Sequence, residues 1–356
     1  MKTLALIGPN ANVTGTLQGN YYGHAPFIVS PFEGFQKVVS SIHLESGCAI
    51  SGDDKSGFDG AVGAAKVADA VVLVMGLDQS QEREGHDRDI LTLPGVQQEL
   101  ITTVAAAASG KPVIVVLLGG GMVDMTFAKA SKDITAIVWA GYPGQSGGDA
   151  IARTVMGLSV PSGRLTQTMY PGSFNATVSM FNQNMRPDTS SNYPGRSYRF
   201  YTGEAVYPFG YGLSYTTFQY DWTAEEGQLV ASKADIGAFA SAYPTWQETA
   251  PMRRELAAVA TASVKVTNTG SVAASDSVLL FVTPPKAGQD GTPLKYLVDF
   301  DKVYLEPGQS QTVSFGLTAR DLALFGSDGR RYAPEGLGSV VVGVGENEQR
   351  IPLHYA

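Results

Sequence analysis

The sequence predicts two folded bodies in tandem: an α/β domain with a mostly parallel sheet sandwiched by helices, then an all-β sandwich. Two observations predict this. From residue 3 to about 160, short fully apolar runs alternate with Ala-rich amphipathic segments, the pattern of strand–helix–strand units. From about residue 256 the apolar period shifts to two, with turn residues about every 8 to 12 positions, the pattern of a half-buried sandwich. A chain of 356 residues can bury two such cores. The boundaries that follow are 1–221 for the α/β domain with its loops, 222–255 for a linker and 256–356 for the sandwich.

In the first body TLALIG (3–8), AVVLVMG (70–76), KPVIVVLLGG (111–120) and ITAIVWAG (134–141) read as strands buried on both faces, because they are apolar without alternation. DGAVGAAKVADA (59–70) and GVQQELITTVAAAA (95–108) have helical spacing and supply the cover. Residues 160 to 220 are rich in Pro, Gly and aromatics, and are expected to wrap this core. The stretch 222–255, with EEGQ and SAYPTWQETAP, has weak periodicity and reads as a surface connection. Beyond it ASVKVTNTG, SDSVLLFVTPP, LVDFDKVYLEPGQSQTVSFGL and GSVVVGVGENEQRIPLHYA alternate, giving roughly seven strands.

Composition excludes several classes. A net charge of −8 with no cluster of Lys and Arg argues against nucleic acid. The single cysteine, Cys48, rules out an intrachain disulfide and cysteine-held zinc, and the four histidines are scattered. The longest apolar run, PVIVVLLGGGMV (112–123), falls short of the roughly 18 residues a membrane helix needs. MKTLALIGPNA enters a strand at once and has no signal-peptide pattern; sequons lie at Asn12 and Asn175. The glycines after the first strand do not form G-x-G-x-x-G, SGDDKSGFDG (51–60) lacks calcium-loop spacing, and Ser146 has no base beside it. No metal or organic cofactor is expected.

That leaves QEREGHDR (81–88), beyond the carboxyl end of a buried strand, where open parallel sheets bind ligands. Glu82, Glu84, Asp87 and Asp89 crowd together with Arg83 and Arg88. Neighbouring carboxylates raise one another's pKa and arginines lower it, so such a loop can hold one protonated acid for proton transfer. It can equally be a solvated loop whose charges pair, with Asp87 and Arg88 fixing it by an ion pair.

Six stretches in order carry a resemblance: LALIGPNAN, GNYYGHAPFIVSPFEGF, GLDQSQEREGHDRDILTLPGVQQELI, WAGYPGQSGGDAIA, PSGRLTQTMYP and NMRPDTSSNYPGRSYRFYTGEAVYPFGYGLSYTTF. Together they resemble the C-terminal part of family-3 glycoside hydrolases, in the β-xylosidase and β-glucosidase branch, with MRPD…YPGRSYRFYTG leaning toward xylosidases. The later SDSVLLFVTPP…SQTVSF resembles the fibronectin type III-like domain of such enzymes. In that family a (β/α)₈ barrel supplies an aspartate nucleophile and the α/β sandwich supplies the acid/base glutamate. Carried onto this chain, the acid/base is Glu84, just ahead of G-x-D-R, or Glu82, which fits better by distance from the strand end.

The resemblance implies a β-linked oligosaccharide or glycoside as ligand, a secreted location, and an exo-acting retaining glycosidase. It also implies that the chain alone, without a barrel, is inactive. Its macromolecular partner is then expected to be a separate barrel chain, meeting an exposed apolar face for which the aromatic loops of 195–217 are candidates. The rival expectation is a non-catalytic carbohydrate-binding or self-assembling module.

Overall fold

The computed structural model describes residues 2–224 and 227–356. The first compact unit contains residues up to Ser159, with Met169–Phe181 and Glu204–Tyr207. Its five strands, β1 (Thr3–Ile7), β2 (Ser41–Glu45), β3 (Ala70–Gly76), β4 (Val113–Leu118) and β5 (Ala136–Gly141), form one sheet in the order β2-β1-β3-β4-β5. Every pairing in it is parallel. Four of these strands are the predicted apolar runs. The fifth, β2, is an edge strand of sequence SIHLE and is only half buried, so no apolar run announces it.

The helices are α1 (Pro31–Gln36), α2 (Phe58–Val67), α3 (Gln97–Ala107), α4 (Thr126–Lys129), α5 (Gly147–Val155) and the short α6 (Phe174–Thr177). Alternate strand residues face opposite cores. Ile7, Val71, Leu73, Met75 and Leu117 pack under Ala61 and Ala65 of α2 and Leu100, Ile101 and Val104 of α3. Leu6, Val72, Val74 and Val116 pack on the other side with Phe35 of α1 and Ile151 of α5. Burying each large side chain contributes about 1.5–3 kcal/mol, which is why the interior strands β1, β3 and β4 carry no polar face.

The six-residue α1 was not expected. It is held by a capping box: Ser30 Oγ accepts from the Glu33 amide at 3.2 Å and Glu33 Oε2 accepts from the Ser30 amide at 2.7 Å.

The second unit contains Val160–Thr168, Asn182–Gly203 and Pro208–Ala356, including the short α7 (Ser197–Phe200). Its strands are β6 (Phe218–Trp222), β7 (Leu229–Ala231), β8 (Ala258–Asn268), β9 (Ala274–Thr283), β10 (Tyr296–Leu305), β11 (Ser310–Thr318), β14 (Leu337–Val342) and β15 (Gln349–Tyr355). A small hairpin, β12 (Leu324–Phe325) with β13 (Arg331–Tyr332), and the helices α8 (Lys233–Ala242) and α9 (Ala319–Leu322) complete it. One sheet runs β10-β9-β14-β15-β7 and the other β11-β8-β6, with Val264, Val278, Leu280, Phe315, Val340 and Leu353 in the core they share.

The stretch 222–255 is therefore not a linker. It carries the end of β6, β7 and α8, whose Ile236 and Phe239 enter the sandwich core. Glu225 and Glu226, within that expected linker, lie outside the described residues. The aromatic stretch also departs from expectation. Tyr198 and Phe209 stack at 4.2 Å and close on Phe281 of β9, so this part packs on the β-sandwich rather than wrapping the α/β core. Of the loop residues expected to form an apolar docking face, Leu213 and Tyr215 are exposed and the Tyr198–Phe209 pair is not.

Candidate active site

The sheet order changes direction between β1 and β3, so the crevice beyond their carboxyl ends is where a ligand site is expected. β3 ends in Gly76 at φ +116°, a backbone conformation that side chains rarely adopt, and its added Cβ would collide with the carbonyl of Leu118. The strand end is locked by Gln97, which is fully buried. Its Oε1 accepts from the Gly76 amide at 2.8 Å, and its Nε2 donates to the Gly76 carbonyl at 2.8 Å and the Ile50 carbonyl at 2.7 Å. The charged loop leaves from this fixed point.

The loop starts with a turn in which the Gln81 and Glu82 amides donate to the Asp78 carbonyl at 3.0 and 3.2 Å. A tight hairpin follows. Arg83 and His86 exchange both backbone hydrogen bonds, at 3.2 and 3.0 Å, and leave Glu84 and Gly85 at the tip. Gly85 takes φ +71°, the left-handed conformation such a turn needs at that place.

The two candidate glutamates are thereby separated. The Glu82 side chain is 19% exposed and points back to the sheet. Its Oε1 accepts from the Gly120 amide at 2.5 Å, the Gly121 amide at 3.2 Å and the Tyr142 hydroxyl at 2.8 Å. Its Oε2 lies 3.6 Å from Arg88 Nε, and the Arg88 side chain is 11% exposed. Arg88 also donates to the Met122 carbonyl at 2.7 Å and the Ile90 carbonyl at 3.2 Å. Burial pulls the Arg88 pKa below the usual guanidinium value, with Glu82 opposing the shift. Burial, and then the hydrogen bond to Glu82, push the Tyr142 phenol well above its ordinary value, so at neutral pH it is a protonated donor.

Glu84 is exposed to solvent at the hairpin tip. Its hydrogen bond with Tyr21 raises the pKa of that exposed phenol. Tyr21 is 77% exposed, and Tyr22 and Phe27 of the same stretch of chain are 60% and 55% exposed. Asp87 is also exposed, and Arg88 pairs with Glu82 instead of the expected Asp87. The trailing end of the loop is tied down by Asn175, whose Nδ2 donates to the Asp89 carbonyl at 2.8 Å, and by the Asp124 amide, which donates to the Leu91 carbonyl at 2.7 Å.

Sequence reasoning missed Tyr142 and the Gly119–Gly121 turn. Three consecutive glycines straight after a buried strand were the available signal. Among the described residues, no three His, Cys, Asp or Glu side chains are grouped to hold a metal ion, and no helix is long and apolar enough to cross a membrane.

Comparison with known proteins gives this geometry a family. Residues 1–215 match the glycosyl hydrolase family 3 C-terminal domain and residues 276–347 a fibronectin type III-like domain. Beta-D-xylosidase 3 of Arabidopsis thaliana is 44% identical over 339 residues, which are 93% of this chain and 43% of the relative. The exo-1,4-beta-xylosidase of Emericella nidulans is 38% identical over 93% of this chain and 40% of its own length. A solved family-3 exo-beta-xylosidase, in complex with a xylobiose aziridine activity-based probe, superposes with a TM-score of 0.89 at 34% identity, covering 100% of this chain and 45% of that one. A β-glucosidase from Erythrobacter marinus gives 0.74 at 28% identity, over 99% and 46%. The chain thus spans somewhat under half the length of the relatives it matches. With the family match covering most of its length, a parallel sheet carrying the charged loop, and a β-sandwich later in the chain, the chain belongs to glycosyl hydrolase family 3 and corresponds to the C-terminal part of that family.

Proposed function

We propose that this chain is the acid/base-bearing portion of a retaining, exo-acting β-xylosidase-like enzyme, and that Glu84 is its proton donor. The observation that carries the assignment is the contrast between the two glutamates. Both oxygens of Glu82 are occupied by protein groups, whereas Glu84 stands at an exposed hairpin tip beyond the carboxyl edge of the sheet. A general acid has to bring its proton within hydrogen-bond reach of the leaving oxygen. Glu84 is open to do so, whereas Glu82 would first have to give up the Gly120 and Gly121 amides, Tyr142 and Arg88.

In the proposed reaction Glu84 gives its proton to the glycosidic oxygen as the bond to the anomeric carbon breaks. A second carboxylate, about 5–5.5 Å from the first and on the opposite face of the sugar, attacks that carbon. Glu84, now ionised, takes a proton from the water that releases the sugar. The family resemblance assigns the second carboxylate to a barrel, so these 356 residues become active in company with one. The exposed Tyr21, hydrogen-bonded to Glu84, supports this reading, since an exposed aromatic beside the proton donor suits a sugar or a second protein surface. A secreted setting, with glycan on the exposed Asn12, is part of the same proposal.

The test is hydrolysis of an aryl β-xyloside and an aryl β-glucoside by the chain alone and with a family-3 barrel, alongside native mass of the protein from its source. The chain alone is expected to be inactive and the combination active on the xyloside. Glu84→Gln is expected to lower turnover of a poor leaving group by about 10²–10⁴-fold. Activity of the isolated chain, or a fully active Glu84→Gln enzyme, would sink the proposal.

A further inference from the structure

We infer that Glu82, Arg88 and Tyr142 together with the Gly120–Gly121 turn are a two-point clamp that sets where the Glu84 carboxyl sits, which makes Glu82 a positioning residue for proton transfer. The inference rests on the assignment of Glu84 as proton donor. It starts from a weakness of the hairpin. Two backbone hydrogen bonds close it, and a two-residue ribbon of that size has little stability of its own in water. The position of its tip has to be imposed from outside.

Both legs of the hairpin are held by the same neighbour. Glu82, two residues before Glu84, takes the amides of Gly120 and Gly121. Arg88, four residues after it, reaches the carbonyl of Met122. Residues 120–122 follow β4 after Gly119, and Val115, Val116, Leu117 and Leu118 of that strand are buried, so the clamp is fixed to an interior strand of the sheet. Tyr142, which follows β5, adds the third donor to Glu82. Glu82 and Arg88 neutralise one another in a largely buried place, where losing one partner strands the other.

The glycines complete the argument. A Cβ on Gly120 would lie 3.2 Å from both Glu82 Oε1 and Tyr142 Cε2, and one on Gly121 would lie 2.9 Å from Arg88 Nη2 and 3.0 Å from Glu82 Oε2. The turn is bare because the clamp occupies the space a side chain would take. Shifting an acid by about 1 Å can lower a rate on the order of a hundredfold, so a clamp of this kind acts on catalysis without touching substrate.

The experiment compares Glu82→Gln and Glu84→Gln in the enzyme assembled from this chain and a family-3 barrel, using two xylosides. A dinitrophenyl leaving group departs without protonation; an alkylphenyl one needs it. In Glu82→Gln, kcat/KM for the alkylphenyl xyloside is expected to fall about a hundredfold, kcat/KM for the dinitrophenyl xyloside to stay near the parent value, and azide to give no β-xylosyl azide. Equal loss on both substrates per folded enzyme reduces Glu82 to a structural strut and overturns the inference. Azide rescue of Glu82→Gln makes Glu82 the acid and overturns it too.

A second measurement uses the chain by itself. In Glu82→Gln, amide exchange at Gly120 and Gly121 is expected to quicken about tenfold, the loss of roughly one hydrogen bond. Unchanged exchange removes the clamp whether or not any enzyme is active. A Glu84→Gln enzyme that azide fails to rescue sinks the assignment of the acid, and the exchange result still decides the clamp.

Discussion

Glu82 and Glu84 are the same side chain two positions apart, and the backbone alone gives them opposite surroundings. The hairpin begins at Arg83, so one glutamate remains on the leg against the sheet and the other rides on the tip. Cys48 illustrates the same dependence on place. Its thiol is buried beneath α3, and burial pushes its pKa up to about 11. The thiolate is the reactive form, and its share at pH 8 falls as the pKa rises. Alkylation of the folded chain by iodoacetamide at pH 8 is therefore expected to be on the order of a hundredfold slower than alkylation in denaturant; equal rates would show that the thiol is not shielded. At this scale the sequence revealed Glu84 and Glu82 as candidates, because the charged run is contiguous. It concealed Tyr142 and Gly120, which meet Glu82 from 60 and 38 positions away. Nothing local in Tyr142 distinguishes it from the other tyrosines.

At the scale of elements, the legible strands are those with unbroken apolar runs. β1, β3 and β4 are buried on both faces as expected, whereas β5, read the same way, is an edge strand and mostly only half buried. β2 was hidden by its exposed edge, and α1 by its length, since a six-residue helix shows less than two turns of periodicity. The stretch after Trp222 was misread because β7 has three residues and α8 offers the core little beyond Ile236, Phe239 and Ala240. Gln97 shows what pattern reading misses inside a correctly placed helix. It opens α3, yet its amide is fully buried and joins the end of β3 to the carbonyl of Ile50. Gln97→Leu leaves a buried amide and two carbonyls unpaired, each worth about 1–3 kcal/mol. The expected loss is about 3 kcal/mol of stability, read by denaturant titration of the far-ultraviolet signal; a loss below about 1 kcal/mol would mean that water replaces the side chain.

For the whole molecule, two periods of hydrophobicity were enough to give the class of each body, and a boundary between them was harder to read. The sandwich takes β6 and β7 from before residue 256. Of the aromatic stretch, Asn182–Gly203 and the residues from Pro208 join it too, while Met169–Phe181 and Glu204–Tyr207 stay with the α/β unit as expected. β15 lies between β14 and β7 within its sheet, so it is an interior strand. Removing residues 349–356 is expected to unfold the second unit, seen as loss of amide protection in β9 and β14, while β1, β3 and β4 keep theirs. Retained protection in β9 would refute this. The placement of β15 also sets a timetable for synthesis. Strands β1 to β5 are complete once residue 141 has left the ribosome, and their parallel sheet can assemble while translation continues. β7 has to wait for a partner more than a hundred residues further on, so the sandwich closes only once residues 349–355 have been made, and until then its sheets lack an interior strand.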